Sequence, residues 1–248
     1  MKLIINADDF GRTRGINYGI LEAMKYGIVN STTIMMNMPY AMHAIEIAKK
    51  EGLKNIGVHL TFIEKCLTEA KSLADDNGNF KKYDVLMQEA DIEDIKTEMK
   101  AQIDSLIKTG IKPTHLDGHH HVHIRTQKMA EATFAVAKEY GLPVRAGKTP
   151  KTRAGEDIIP AEGIKTTDFF EYNYYDELVG FDSFVKIMDA LLENNIVELM
   201  CHPAFLCSDT LKSSYSYPRL TELDVLTSKE AKEYIKSKEI ELIGFGDL

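Results

Sequence analysis

The feature that most constrains this chain is an end-to-end alternation of short apolar runs with longer segments of helical period. Leu3-Ile4-Ile5-Asn6-Ala7 reads as a buried strand ending at Asp8-Asp9, and Ile16, Ile20 and Met24 then share one helical face over 14–27. A strand at 31–37, a helix at 39–50 and a strand at 55–60 follow. The helix at 91–109 is the most regular: Ile92, Ile95, Met99, Ile103 and Leu106 recur at steps of three and four, and Gly110 ends it. Further strands are predicted at 114–117, 143–145, 169–172, 196–200 and 239–245. Helices fall at 127–140 and 183–194, and a capping box of Thr227 and Glu230 opens the last one.

Alternation of this kind requires parallel strands joined by helical crossovers. Seven or eight such units in 248 residues predict a single domain, 1–248, folded as a distorted or incomplete (β/α) barrel. An open doubly wound sheet is the alternative, but the chain has no GxGxxG or P-loop for a nucleotide. Two long connections, 61–90 and 147–167, are expected to act as lids or substrate walls.

A net charge of −8 argues against nucleic acid and anionic membranes as partners. No stretch reaches the ~20 apolar residues of a membrane span, and the apolar run after Lys2 is too short for a signal peptide. Three cysteines, Cys66, Cys201 and Cys207, are an odd number without zinc-ligand spacing. They suit a reducing compartment, so a cytoplasmic protein is expected.

Ionisable residues collect where the predicted strands end. Asp8 and Asp9 end the first strand, His59 lies near the end of the third, and His202 follows Met200-Cys201. Thr114-His115-Leu116-Asp117-Gly118-His119-His120-His121-Val122-His123 holds five of the eight histidines in nine residues. Parallel α/β folds build their sites at this carboxyl edge. So many imidazoles are costly to pack into an apolar core, and they point to metal binding or proton transfer. Successive strand residues face opposite ways, so one aspartate of the pair could take a metal while its neighbour takes a proton. A turn or helix cap is the plain alternative for that pair. By the same alternation His115, Asp117 and His119 share one side. Asp117 could orient a ligating imidazole, and Arg145 could orient a carboxylate or make a surface ion pair.

At these residues the chain resembles the YdjC-like carbohydrate deacetylases, which include chitooligosaccharide deacetylases. The resemblance rests on Asn6-Ala7-Asp8-Asp9-Phe10-Gly11, Asn30-Ser31-Thr32-Thr33, Gly57-Val58-His59-Leu60-Thr61, the block from Pro113 to His123, and Cys201-His202-Pro203-Ala204. It implies a distorted (β/α) barrel and one divalent metal ion, usually described as magnesium, on Asp9, His59 and His119. A wider similarity to NodB-type deacetylases implies Asp8 as base and His202 as acid, although there the two ligand histidines lie close together on one segment. His115, Asp117, His121, His123 and Arg145 would orient the site or line the sugar cleft. Two nitrogens and one carboxylate favour zinc or another transition metal over magnesium, which prefers oxygen ligands.

The reaction expected is hydrolytic removal of an acetyl group from an N-acetylated amino sugar or chito-oligosaccharide. A phosphoesterase or non-haem iron oxygenase on the same scaffold, or a non-catalytic sugar binder, are the alternatives. The partner is a small sugar, and a homodimer is compatible with the sequence. Without tryptophan, sugar stacking would fall to Tyr172, Tyr174 and Tyr175 or to Tyr215 and Tyr217.

Overall fold

The sheet is organised around β1 (Lys2–Phe10), buried at every residue after Lys2. The computed structural model describes residues 1–150 and 162–248. Thr13 caps α1 (Arg14–Tyr26) by accepting from the Ile16 amide. There follow β2 (Ser31–Ile34), α2 (Ala41–Glu51), β3 (Ile56–Leu60), α3 (Tyr83–Glu89) and α4 (Ile92–Lys108). β4 (Leu116–Gly118) leads through a 3-10 segment, His119–Ile124, to α5 (Gln127–Tyr140). The chain closes with β5 (Phe169–Glu171), α6 (Phe181–Asp189), β6 (Ile196–Cys201), α7 (Tyr217–Thr227), α8 (Lys229–Ser237) and β7 (Glu241–Leu242).

The strand order is β4-β3-β2-β1-β6-β5, with every pairing parallel and β7 beside the start of β1. The sheet curls, and among the described residues only isolated bridges, Leu116 to Val144 and Lys148 to Phe169, link its outer strands to the segment between them. This is the expected incomplete (β/α) barrel. The strand expected at 143–145 is reduced to those bridges, because Pro143 has no amide hydrogen to extend a ladder.

Period-two alternation sorts β1 into two layers. Leu3, Ile5 and Ala7 join the large core beneath the helices, with Ile95, Met99, Ile103 and Leu106 of α4. Each of the larger of these side chains, the leucines, isoleucines and Met99, contributes about 1.5–3 kcal/mol of burial. Ile4 faces inward and packs with Ile243 and Phe245, which plug the barrel at the start of β1. Above that plug the interior turns polar: Asn6, Asp8, Thr33, His59, Asp117, Arg145 and Glu198 are all buried.

Several boundaries differ from expectation. The last helix is capped by Ser228, which accepts from the Ala231 amide, while Thr227 ends α7 and spends its hydroxyl on Leu223 O. α7 has no regular apolar stripe, and the sequence pattern predicts no helix there. The 61–90 connection contains α3 and two short antiparallel bridges. Much of the 147–167 connection lies outside the described residues.

Candidate active site

Asp8 and Asp9 do not face opposite ways. Between Ala7 and Phe10 the register with β2 slips by one residue, and Asp9 takes a left-handed backbone, φ +72°. This bulge turns Asp9 toward the barrel mouth beside Asp8. Both line a cavity of about 510 Å³ with His59, His119, His121 and His202.

Asp9 Oδ1 lies 2.9 Å from His119 Nδ1 and 3.6 Å from His59 Nε2. It accepts no hydrogen bond although buried, and His119 Nε2 also lacks a partner among the described residues. Asp9 Oδ2 is held by Arg219 and, at 3.4 Å, by Arg12. Burial opposes ionisation of Asp9, but Arg219 and His119 outweigh it and hold its carboxyl well below the usual range. His59 Nδ1 lies 2.7 Å from Asp117 Oδ1, which fixes the ring with Nε2 toward Asp9. Burial lowers the His119 imidazole to about 4, so it stays neutral, as a metal ligand must be. Asp9, His59 and His119 thus form a convergent set that could hold a metal ion.

Asp8 is held differently. Arg145 Nη1 and Nη2 each donate to it at 2.7 Å, forming a two-pronged clamp, and Asn6 adds a third hydrogen bond at 2.9 Å. Burial opposes ionisation, but Arg145 prevails and lowers the carboxyl far below its ordinary value. Arg145 is itself fully buried, so it is no surface ion pair. It also reaches Asp117 at 3.0 Å and Glu198 at 2.7 Å. Asp117 therefore supports the His59 ring and the clamp together.

His202 Nε2 stands 4.0 Å from Asp8 Oδ2, and its ring packs edge-on against Tyr175 and Tyr215. Glu222 of α7 accepts from the His202 amide and from the Tyr215 hydroxyl, and lies 3.8 Å from His202 Nδ1. Arg219, one helical turn before it, donates to His202 O and Tyr215 O. One helix thus ties the His202 loop to Asp9. Sequence reasoning missed Arg219 and Glu222 because α7 was not recognised as an element.

The histidine run divides. His119 and His121 line the cavity, where His120 and His121 both adopt left-handed backbones. His123 does not line it; its Nε2 bonds Arg145 O and supports the clamp's backbone. His115 does not line the cavity either. Its ring stacks on Phe245 at 3.8 Å and packs against Gly57, where a Cβ would stand 2.5 Å from the imidazole. Of the tyrosines proposed for stacking, Tyr172, Tyr175 and Tyr215 line the cavity, whereas Tyr174 is buried and Tyr217 lies 70 % exposed away from it.

The profile of the family described as YdjC-like protein matches residues 2–237. A protein of Clostridium beijerinckii named carbohydrate deacetylase is 41 % identical over 252 residues, covering all of both chains. A crystal structure from Enterococcus faecalis V583, of a protein called a cellobiose-phosphate cleavage protein, superposes with a TM-score of 0.90 at 34 % identity. That match covers 99 % of this chain and 98 % of the other. A family 4 acetyl xylan esterase from Clostridium thermocellum, in complex with a cobalt ion, has a TM-score of 0.53 at 12 % identity. It covers all of this chain and 89 % of its own, and at that identity the likeness bears on the fold alone.

Proposed function

The chain belongs to the YdjC-like protein family, and on that premise we propose that it is a metal-dependent hydrolase that removes the acetyl group from an N-acetylated sugar of the chito-oligosaccharide class. The observation that carries this reading is Asp9 Oδ1, buried and without a hydrogen bond between two imidazole nitrogens, with Asp8 and His202 beside it. Full-length relatives are named carbohydrate deacetylase, which supports a sugar substrate.

Asp9, His59 and His119 would hold the metal. A divalent ion there supplies Lewis acidity, which polarises an acyl oxygen and acidifies water. Two imidazole nitrogens and one carboxylate favour zinc or another transition metal over magnesium. Asp8 Oδ2 would take a proton from the attacking water, and His202 Nε2 would give one to the departing amine. Acetate and a free amino sugar result; Asp8 then releases its proton to solvent and His202 takes one up, which restores both groups. Arg145 keeps Asp8 ionised and oriented, and the Tyr175–Tyr215 pair, stacked at 4.0 Å, backs the His202 ring. No helix among the described residues is long and apolar enough to cross a membrane, and a cytoplasmic location is part of this reading.

An oxygenase would have no use for an acid and a base beside the metal set. The deciding measurement is acetate release from N-acetylglucosamine and N,N′-diacetylchitobiose, together with metal analysis of protein purified without added metal. Acetate with a bound transition metal is expected. Absence of acetate from metal-loaded protein would overturn the deacetylase reading. Stoichiometric magnesium, with activity that survives a transition-metal chelator, would overturn the metal preference.

A further inference from the structure

Glu198 is a charged residue in the middle of an apolar run, Ile196-Val197-Glu198-Leu199-Met200, and the proposed chemistry does not use it. It sits on β6 in register with Ile4 of β1 and Phe170 of β5, fully buried inside the barrel. Its Oε1 accepts from Arg145 Nε at 2.7 Å, and its Oε2 has no hydrogen-bond partner among the described residues. We propose that Glu198 is a positioning residue: by taking the Nε–H of Arg145 it fixes the guanidinium plane so that both terminal nitrogens meet Asp8. This rests on the reading of Asp8 as the base.

The argument is one of donors and charge. Three carboxylates, Asp8, Asp117 and Glu198, surround one fully buried guanidinium. Asp8 also receives Asn6, and Asp117 receives Thr33 at 2.9 Å and stands against His59. Among the described residues, Glu198 receives only Arg145 Nε. Three buried anions against one cation are costly, so a proton settles where donors are fewest. Burial accordingly pushes Glu198 up to about 8, against the lowering effect of Arg145, with Asp117 and Asp8 adding to the rise. A neutral Glu198 still accepts from Nε through its carbonyl oxygen, yet leaves the guanidinium charge to Asp8 and Asp117. The titratable groups facing it are these two carboxylates, Arg145 and the buried Cys201 thiol.

The test compares Glu198→Gln, Glu198→Ala and wild type. Glutamine keeps a neutral acceptor at the same reach; alanine leaves the Nε–H unpaired and the guanidinium free to tilt. Glu198→Ala should lose about 10- to 100-fold in kcat, the scale of a small misplacement of a reacting group. KM and metal content should hold, and Glu198→Gln should restore kcat to within about threefold of wild type. Unchanged kcat in Glu198→Ala, or equal damage in Glu198→Gln, would overturn the positioning role. A second readout needs no activity. Folded Glu198 holds a proton that the unfolded chain loses near its ordinary value, so stability falls as pH rises through that window. Wild type should therefore lose Tm relative to Glu198→Gln from about pH 4.5 to about pH 8, and level off above. A difference flat with pH would overturn the neutral-acid account. Absence of acetate from wild type would instead strike the functional reading, which that Tm comparison does not share.

Discussion

Asp8 and Asp9 share a peptide bond and one barrel mouth, yet Arg145 and Asn6 satisfy both oxygens of Asp8, whereas Asp9 keeps Oδ1 free between two imidazoles. The Asp8 side is a closed ion network whose cation is fully buried. The Asp9 side is a half-made coordination set facing a cavity. A carboxylate saturated with donors is fixed and ionised before any substrate arrives, which suits proton transfer in a set geometry. A buried oxygen without a donor costs free energy unless a ligand completes it. The same residue type thus serves two purposes, and its neighbours decide which.

Replacing His119 by Ala should break the open side most completely. Metal content should fall by more than roughly 100-fold in affinity, beyond what loss of an outer hydrogen-bond partner costs, and acetate release should vanish. Full metal content in that variant would show that Asp9, His59 and His119 are not the set. Asp8→Asn should cut kcat by about 10²- to 10⁴-fold while metal content stays at the wild-type level, which separates the two aspartates directly. Loss of metal in Asp8→Asn would erase the contrast.

The closed side should show itself in stability. Arg145→Met removes a buried cation from three carboxylates and should cost about 3–5 kcal/mol, read by urea unfolding. A cost below about 1 kcal/mol would mean that the carboxylates take up protons without penalty.

The smallest effect belongs to His115→Leu, outside both sides, which should change kcat by less than about threefold. Burial holds the His115 imidazole well below its ordinary value, so it is neutral when folded and gains a proton on unfolding. Stability from it is present above about pH 6.5 and lost as pH falls below that. The leucine variant should therefore have a shallower acid-unfolding slope, by up to about 1.4 kcal/mol per pH unit. A large kcat defect would place His115 back in the cleft.

Much of the fold was legible because long apolar periods leave few alternatives. α1, α4 and α5 fall close to their predicted spans, since their apolar stripes have only the sheet to cover. Short or uneven elements were not legible: α7 carries no regular stripe, and β7 is two residues long. Asp8, Asp9, His59, His119 and His202 could be named from sequence because each stands where an apolar run stops. Glu198 left a trace, a single charge inside an apolar run, which is how an inward position of a polar-filled barrel looks. Arg219 and Glu222 left none, because their role depends on where α7 lands.

The sequence by itself determined the parallel strand–helix order and the carboxyl edge at which the ionisable residues gather, since hydrophobic period and chain direction are local properties. The tertiary structure alone decided which aspartate is clamped and which is left open, and which histidines meet. A one-residue bulge turned Asp9, and Arg145 and Arg219 came to Asp8 and Asp9 from segments more than a hundred residues away, while Glu222 reached His202 across twenty. Period-two patterning says which way a side chain should point, but a change of register and a distant guanidinium are settled only when the strands close around them.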